Sequence, residues 1–255
     1  MIHLLPPRPS LHQADPDSLV SRFRTGDLLL FSGRGLPSDT IRLFTRSHWS
    51  HVGMLVCLPD YEEPLLLEAT AFGDAADVRT GKATAGVVLV PARTRIREYR
   101  GEVAWRERQG EPLSLSGQRR VARLVRHFSY RPYKHFMQAL LRDVVTGFRL
   151  RPDLSGVFCS ELVAECYRRL GWLPRHERAS HFVPGTFGSD ALQLVNGKMA
   201  PPVLLKAEEE RRPQTALAEL KRQPWRELKA SAAYALGMSP TGHQSAAHGT
   251  PPLPR

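Results

Sequence analysis

The sequence has few cysteines and no long apolar run. Its cysteines, Cys57, Cys159 and Cys166, are odd in number and lack metal-ligand spacing, which argues against a disulfide framework and a zinc site. No apolar stretch approaches the roughly 20 residues that span a bilayer. The first residues show no basic segment followed by a long apolar core, so we predict no signal peptide. We therefore expect a cytoplasmic protein with reduced thiols.

Acidic residues are also scarce. The chain has 25 acidic against 36 basic residues and a formal charge of +11, which favours anionic partners. The region 119–151 concentrates this charge, with Asp143 as its single acid. We expect this region to dock on an anionic membrane or polymer surface, with a solvated helix face as the alternative. Nucleic acid is a less favoured partner because no RNA or DNA module signature is present.

The apolar residues change their spacing along the chain. Short strands are predicted in the first half, at residues 25–33, 51–58, 65–71, 86–92 and 101–107. Helical spacing is found at residues 38–46, 116–128, 134–145 and 158–171. Because strands come mainly first and helices mainly after, the pattern favours an α+β fold over alternating βαβ units.

Composition divides the chain into four parts. Residues 1–20 are expected to be a flexible lead-in, and residues 21–200 hold the predicted strands and helices of the main domain. Residues 201–237 form a charged extension with helical potential. Residues 238–255 are rich in Pro, Gly, Ser and His, with nothing to bury, and are expected to be a disordered tail.

Three residues stand out chemically. Cys159 lies at the predicted start of a helix, where unpaired N–H groups and the helix dipole favour a thiolate nucleophile. His51 begins a strand and could act as the base, and Glu68, on the returning strand of the same hairpin, could orient its imidazole. The plainer alternatives are a buried, inert cysteine and a surface histidine. Glu68 needs a cation, a donor or solvent within the apolar run LLLEAT.

The segments TGDLLLFSGRG, TRSHWSHVGMLV, LLLEAT and FCSELVAECYRRLG, in this order, resemble the circularly permuted branch of the NlpC-type papain-like cysteine peptidases. This group includes the YiiX- and YebB-like proteins and, more remotely, the lecithin:retinol acyltransferases. The resemblance covers about residues 22 to 190. It implies a permuted papain-like fold, with a small antiparallel sheet packed against the helix of the nucleophilic cysteine, and a catalytic main domain.

The resemblance assigns Cys159 as nucleophile, His51 as base and Glu68 as the third member of a triad, with no cofactor and no metal. The expected activity is that of a cysteine hydrolase, an amidase or peptidase, on a peptide, cell-wall or lipid-amide substrate. Acyltransferase relatives usually have histidine in place of Glu68, which favours amide hydrolysis. A lipid acyltransferase or thioesterase, or a non-catalytic module that binds anionic surfaces, stays an alternative. His181 is a less favoured candidate for the base.

Overall fold

A computed structural model describes residues 6–33, 36–70, 73–129 and 159–208, without the side chains of residues 36, 37 and 40. All of these residues fall within one of the two compact units of the chain. The predicted helix at 134–145, most of the charged extension and the whole predicted tail lie outside the described residues. Within the described ranges, no helix combines the length and the apolarity needed to cross a membrane.

The described residues form an α+β structure, as the sequence pattern predicts. The strands are β1 (His12–Gln13), β2 (Leu28–Gly33), β3 (His51–Val56), β4 (Leu65–Thr70), β5 (Gly86–Pro91), β6 (Gly101–Arg106), β7 (Arg108–Gln109), β8 (Lys198–Met199) and β9 (Val203–Lys206). The helices are α1 (Pro16–Leu19), α2 (Leu36–Thr45), α3 (Ala92–Glu98), α4 (Leu115–Phe128), α5 (Cys159–Leu170) and α6 (Pro184–Gly188). The sequence pattern did not predict the short elements β1, α1, α3, β7, α6, β8 and β9.

The main sheet is larger than the small sheet expected. Its seven strands follow the order β1-β9-β6-β2-β3-β4-β5. The pairs are antiparallel except for β1 with β9, where His12 lies opposite Val203. The sheet thus includes residues on both sides of the predicted domain limits at 21 and 200. Strand β9 pairs with β6, and β1 pairs with β9, so both strands widen the sheet on the side away from the β3–β4 hairpin.

Both faces of the sheet are buried, because strand residues alternate between two apolar layers. One layer contains Leu28, Met54 and Leu67 together with residues of α4 and α5. The other contains Phe31 and Leu66 with residues of α1 and α3. A strand residue therefore faces either the helix of Cys159 or the helix α3, according to its parity. This two-sided burial explains why the strands are almost continuous apolar runs.

Helix α5 follows directly from its sequence. Leu162, Val163 and Cys166 are fully buried and lie along one face at helical spacing. The helix ends at Gly171, whose φ of +79° is readily adopted by glycine but strained for other residues. The buried Tyr167 hydroxyl donates a hydrogen bond to the carbonyl of Gly26, just before β2. These contacts anchor α5 to the sheet and thereby fix the position of its first residue, Cys159.

Candidate active site

The β3–β4 hairpin brings His51 and Glu68 together. Its antiparallel register pairs Met54 with Leu67 and Val56 with Leu65, so His51 and Glu68 are diagonal neighbours on one face of the sheet. The imidazole Nε2 of His51 and the carboxylate Oε2 of Glu68 lie 2.6 Å apart. The His51 side chain is 15% exposed, whereas that of Glu68 is completely buried. The contact is a short hydrogen bond between a histidine and a carboxylate.

Glu68 is held from its other side by an arginine that the sequence analysis did not predict. Arg95, on α3, places its Nε 2.8 Å from Oε1 of Glu68 and donates from Nη2 to Oε2 at 3.2 Å. Burial by itself would raise the pKa of Glu68, but the charge of Arg95 and the hydrogen bond with His51 outweigh burial and lower it. Glu68 is therefore a carboxylate anion at neutral pH.

Arg95 is itself fixed by several contacts. Its Nη1 donates to Asp74 at 2.8 Å, and its guanidinium lies over the rings of Phe31 and Tyr99, 5.7 and 5.2 Å from their centroids. Its side chain is only 5% exposed. The sequence feature that points to a residue such as Arg95 is Glu68 itself, since a carboxylate on an apolar strand needs a cation, a hydrogen-bond donor or solvent.

Cys159 is the first residue of α5 and is 4% exposed. Burial alone would lower the pKa of His51, but its interactions with Cys159 and Glu68 raise it to about 10. The contact with Glu68 is direct and uses Nε2 of His51. The structure thus joins His51 to Glu68, and Cys159 influences the same imidazole electrostatically.

His51 and Cys159 belong to opposite sides of the sheet. His51 has the parity of Leu55, which belongs to the α3 side, whereas Cys159 is part of the apolar layer on the α5 side. Each is the first residue of its element, His51 of β3 and Cys159 of α5.

The other two cysteines have different environments. Cys57 is exposed and Cys166 is buried within α5. Burial raises the pKa of Cys166 to about 12 and also raises the pKa of Cys57. Both thiols are thereby kept in the protonated form, which is the less reactive one. This difference makes Cys57 a useful reference for the reactivity of Cys159.

His48, three residues before His51, forms a second histidine–glutamate pair with Glu102. This pair was not predicted from the sequence. The Nε2 of His48 and Oε2 of Glu102 are 2.6 Å apart, and both side chains are buried. Arg8 binds the same carboxylate, with its Nε 2.9 Å from Oε1. Among the described residues, Nδ1 of His48 is buried without a hydrogen-bond partner. The pair matches His51–Glu68 in geometry but has no cysteine assigned to it.

A cavity of about 810 Å³ adjoins the site on the α3 side of the sheet. His51, Arg95 and Asp74 contribute to its wall, and Val78 and Val90 supply apolar surface. Cys159 is not among the described residues that line this cavity. The cavity therefore reaches the candidate site from the side of the imidazole.

His181, the alternative base, lies exposed in a short 3₁₀ turn over Ala179–His181. Among the described residues, no three or more His, Cys, Asp and Glu side chains lie close enough together to hold a metal ion. The described site is thus built from a thiol, an imidazole, a carboxylate and a guanidinium.

No family model matches the sequence, and no curated protein does. Solved structures that match include the crystal structure of the metalloprotein yiiX from Escherichia coli O157:H7, described as DUF1105. The two sequences are 24% identical, and the match covers 58% of this chain and 66% of that chain, with a TM-score of 0.41. The match thus spans just under two thirds of that protein. A similarity at this level provides no argument about activity.

Proposed function

We propose that the protein is a cysteine-dependent hydrolase of the amidase or peptidase type. Cys159 is the nucleophile, His51 the general base and acid, and Glu68 the residue that orients His51. The observation that supports the proposal is the 2.6 Å contact of His51 with the buried Glu68, on an imidazole whose pKa Cys159 also raises. The order histidine, glutamate, cysteine along the chain agrees with the permuted papain-like fold, which we also propose.

The chemistry begins with proton transfer from the Cys159 thiol to His51, which the Glu68 carboxylate favours by stabilising the imidazolium. The thiolate attacks the substrate carbonyl carbon and forms a carbon–sulfur bond, and the carbonyl π electrons move to oxygen. Backbone N–H groups at the start of α5 are the donors available to this oxyanion. The imidazolium then protonates the leaving amine, the carbon–nitrogen bond breaks, and a thioester remains on Cys159.

Water completes the cycle. His51 takes a proton from water, whose oxygen attacks the thioester, and the carbon–sulfur bond breaks to release the acid and regenerate the thiol.

Because the cavity adjoins His51 and not Cys159, we place the leaving group in it. An alcohol or amine acceptor in place of water would make the protein an acyltransferase, and the partly apolar cavity wall is the observation that favours this second function. An anionic membrane or polymer docked on region 119–151 stays part of the proposal.

Acyl transfer to the thiol can be tested with p-nitrophenyl acetate, a generic acyl donor. We expect mass spectrometry of the intact protein and its peptides to find an acetyl group on Cys159 in the wild type. The Cys159→Ala variant should lack this adduct, while slow acetylation of the exposed Cys57 is the same in both proteins. If acetylation occurs only at Cys57, Cys159 is not a nucleophile and the proposed hydrolase is wrong.

The role of Glu68 predicts a smaller effect on the same reaction. Glu68→Gln keeps a hydrogen-bonding side chain but loses the charge that stabilises the imidazolium, so acetylation and deacetylation of Cys159 should slow by about tenfold, or about 1.4 kcal/mol in the barrier. Glu102→Gln makes the identical change in the second histidine–glutamate pair and is expected to leave both rates within about twofold of wild type. Equal effects of the two substitutions would show that charge removal near the sheet, and not orientation of His51, lowers the rate.

A further inference from the structure

Four arginines surround a shallow cavity at the far end of the cysteine's helix. The cavity measures about 300 Å³ and is lined by residues of α4, of α5 and of the loop after α5, namely Arg120, Glu165, Arg168, Arg169 and Arg175. The cavity has one carboxylate for four guanidinium groups. The α5 residues that line it, Glu165, Arg168 and Arg169, are six to ten residues after Cys159, so at 1.5 Å per residue they lie about 9 to 15 Å along the helix from it.

Hydrogen bonds hold three of the four guanidinium groups of this arginine cavity, those of Arg120, Arg168 and Arg169. Arg168 and Arg169 both pair with Glu165, the second with an Nε–Oε1 distance of 2.7 Å. Arg168 also donates from Nη2 to the carbonyl of Arg175 at 2.6 Å. Arg120 donates from Nη1 to the carbonyl of Arg169 at 3.2 Å. The neutral carbonyl acceptors hold the arginines in place without neutralising their charge.

Pairing within a helix explains only part of this arrangement. Arg168 and Arg169 lie three and four residues after Glu165, where ion pairs and the negative end of the helix dipole favour arginine. Arg120 comes from another helix and Arg175 from a loop, whereas Glu165, the one acid among the described residues that line the cavity, pairs with Arg168 and Arg169. One carboxylate cannot balance four cations, so three positive charges are left in one small volume.

We propose that the arginine cavity is a binding site for a phosphate group. The planar guanidinium matches two phosphate oxygens at once, and each has five N–H donors, of which the protein contacts use only some. Arg168 even has a buried Nε without a hydrogen-bond partner among the described residues. A phosphate dianion would relieve the repulsion among the cations and use these remaining donors. The site is separate from the proposed active site and independent of its chemistry.

The proposal can be tested by calorimetric titration of the full-length protein with inorganic phosphate and with pyrophosphate. The variant Arg120→Gln/Arg175→Gln removes two of the cations without touching the Glu165 pairs. The variant Arg93→Gln/Arg97→Gln removes the same charge from the exposed surface of α3, where the two side chains are 48% and 69% exposed. We expect pyrophosphate to bind the wild type and the α3 variant with equal affinity, and the cavity variant at least tenfold more weakly.

The phosphate group could belong to a lipid headgroup or to a soluble molecule, and binding to vesicles distinguishes these two sources. If the phosphate belongs to a lipid, pyrophosphate should release the wild type from phosphatidic acid vesicles, and the cavity variant should sediment with them less than the α3 variant does. If it belongs to a soluble molecule, pyrophosphate binds the cavity, but the wild type, the cavity variant and the α3 variant sediment equally with or without pyrophosphate. Equal affinity of all three proteins for pyrophosphate, or an equal loss in both variants, would overturn the proposal. Acetylation of Cys159 should be unchanged in the cavity variant, so the two proposals can fail separately.

Discussion

Replacing His51 by alanine is expected to slow alkylation of Cys159 by iodoacetamide at pH 7 by about tenfold or more. The thiolate is the reactive form, and a thiol with the ordinary pKa of about 8.5 is only about 3% thiolate at this pH. In the proposed mechanism, His51 takes the proton of Cys159, and the Glu68 carboxylate, 2.6 Å from Nε2 of His51, stabilises the resulting imidazolium. The measurement is the alkylation rate of each cysteine by peptide mass spectrometry, with the exposed Cys57 as internal reference.

The matched control for this result is His48→Ala. It removes a buried histidine that contacts its glutamate at the same 2.6 Å distance as His51 does. We expect Cys159 to keep its wild-type rate in this variant and to react faster than Cys57, although it is less exposed. If Cys159 and Cys57 of the wild type react equally slowly, the proposed thiol–imidazole pair is wrong. A loss of reactivity in His48→Ala alone would move the base to the second pair.

Of the substitutions proposed here, Arg95→Met is expected to lower the free energy of unfolding most. Arg95 and Glu68 are 5% and 0% exposed, and removal of one partner of a buried ion pair costs about 3–5 kcal/mol because the other charge stays buried. Arg93→Met, on the same helix, breaks an exposed pair with Asp17 and should cost at most about 1 kcal/mol. Urea denaturation of both variants at pH 7 measures the difference in the free energy of unfolding.

The loss in Arg95→Met should also depend on pH. The folded-state pKa of Glu68 is lowered, so its ion pairs stabilise the wild type fully above the unfolded pKa of about 4.5 and lose this effect as the pH falls through the folded pKa. The gap between the wild type and Arg95→Met should therefore narrow at acidic pH. The double variant Arg95→Met/Glu68→Gln should recover part of the lost stability at pH 7. A gap that is independent of pH would mean that Arg95 stabilises the fold by packing and not by its charge.

The hairpin and the cysteine helix could be predicted because their signals are local. Alternation along a strand places His51 and Glu68 on the same face once the turn between their strands is recognised. The apolar face of α5 and its glycine stop are likewise written within fourteen consecutive residues, 158–171. Local periodicity is therefore sufficient to predict both the hairpin that carries His51 and Glu68 and the helix that carries Cys159, although it gives no distance between them.

Helix α3 and strand β9 could not be predicted in the same way. Helix α3 spans Ala92–Glu98, seven residues rich in arginine, and it is stable because Ile96 and Arg95 are buried against the sheet. Strand β9, Val203–Lys206, has four residues and is defined by its pairing with β6 and β1. Both elements are too short for periodicity to be detected, so tertiary contacts determine them.

The sequence by itself determined which chemical groups are present: a thiol at a helix start, a histidine at a strand start and a carboxylate on the neighbouring strand. Only the tertiary structure showed that His48 and Glu102 form a second pair with the same 2.6 Å contact as His51 and Glu68. Of these two histidines, His51 is the one whose pKa is raised by Cys159. The tertiary structure also supplied Arg95, since the partner of a buried charge is selected by distance in space and not by position in the sequence.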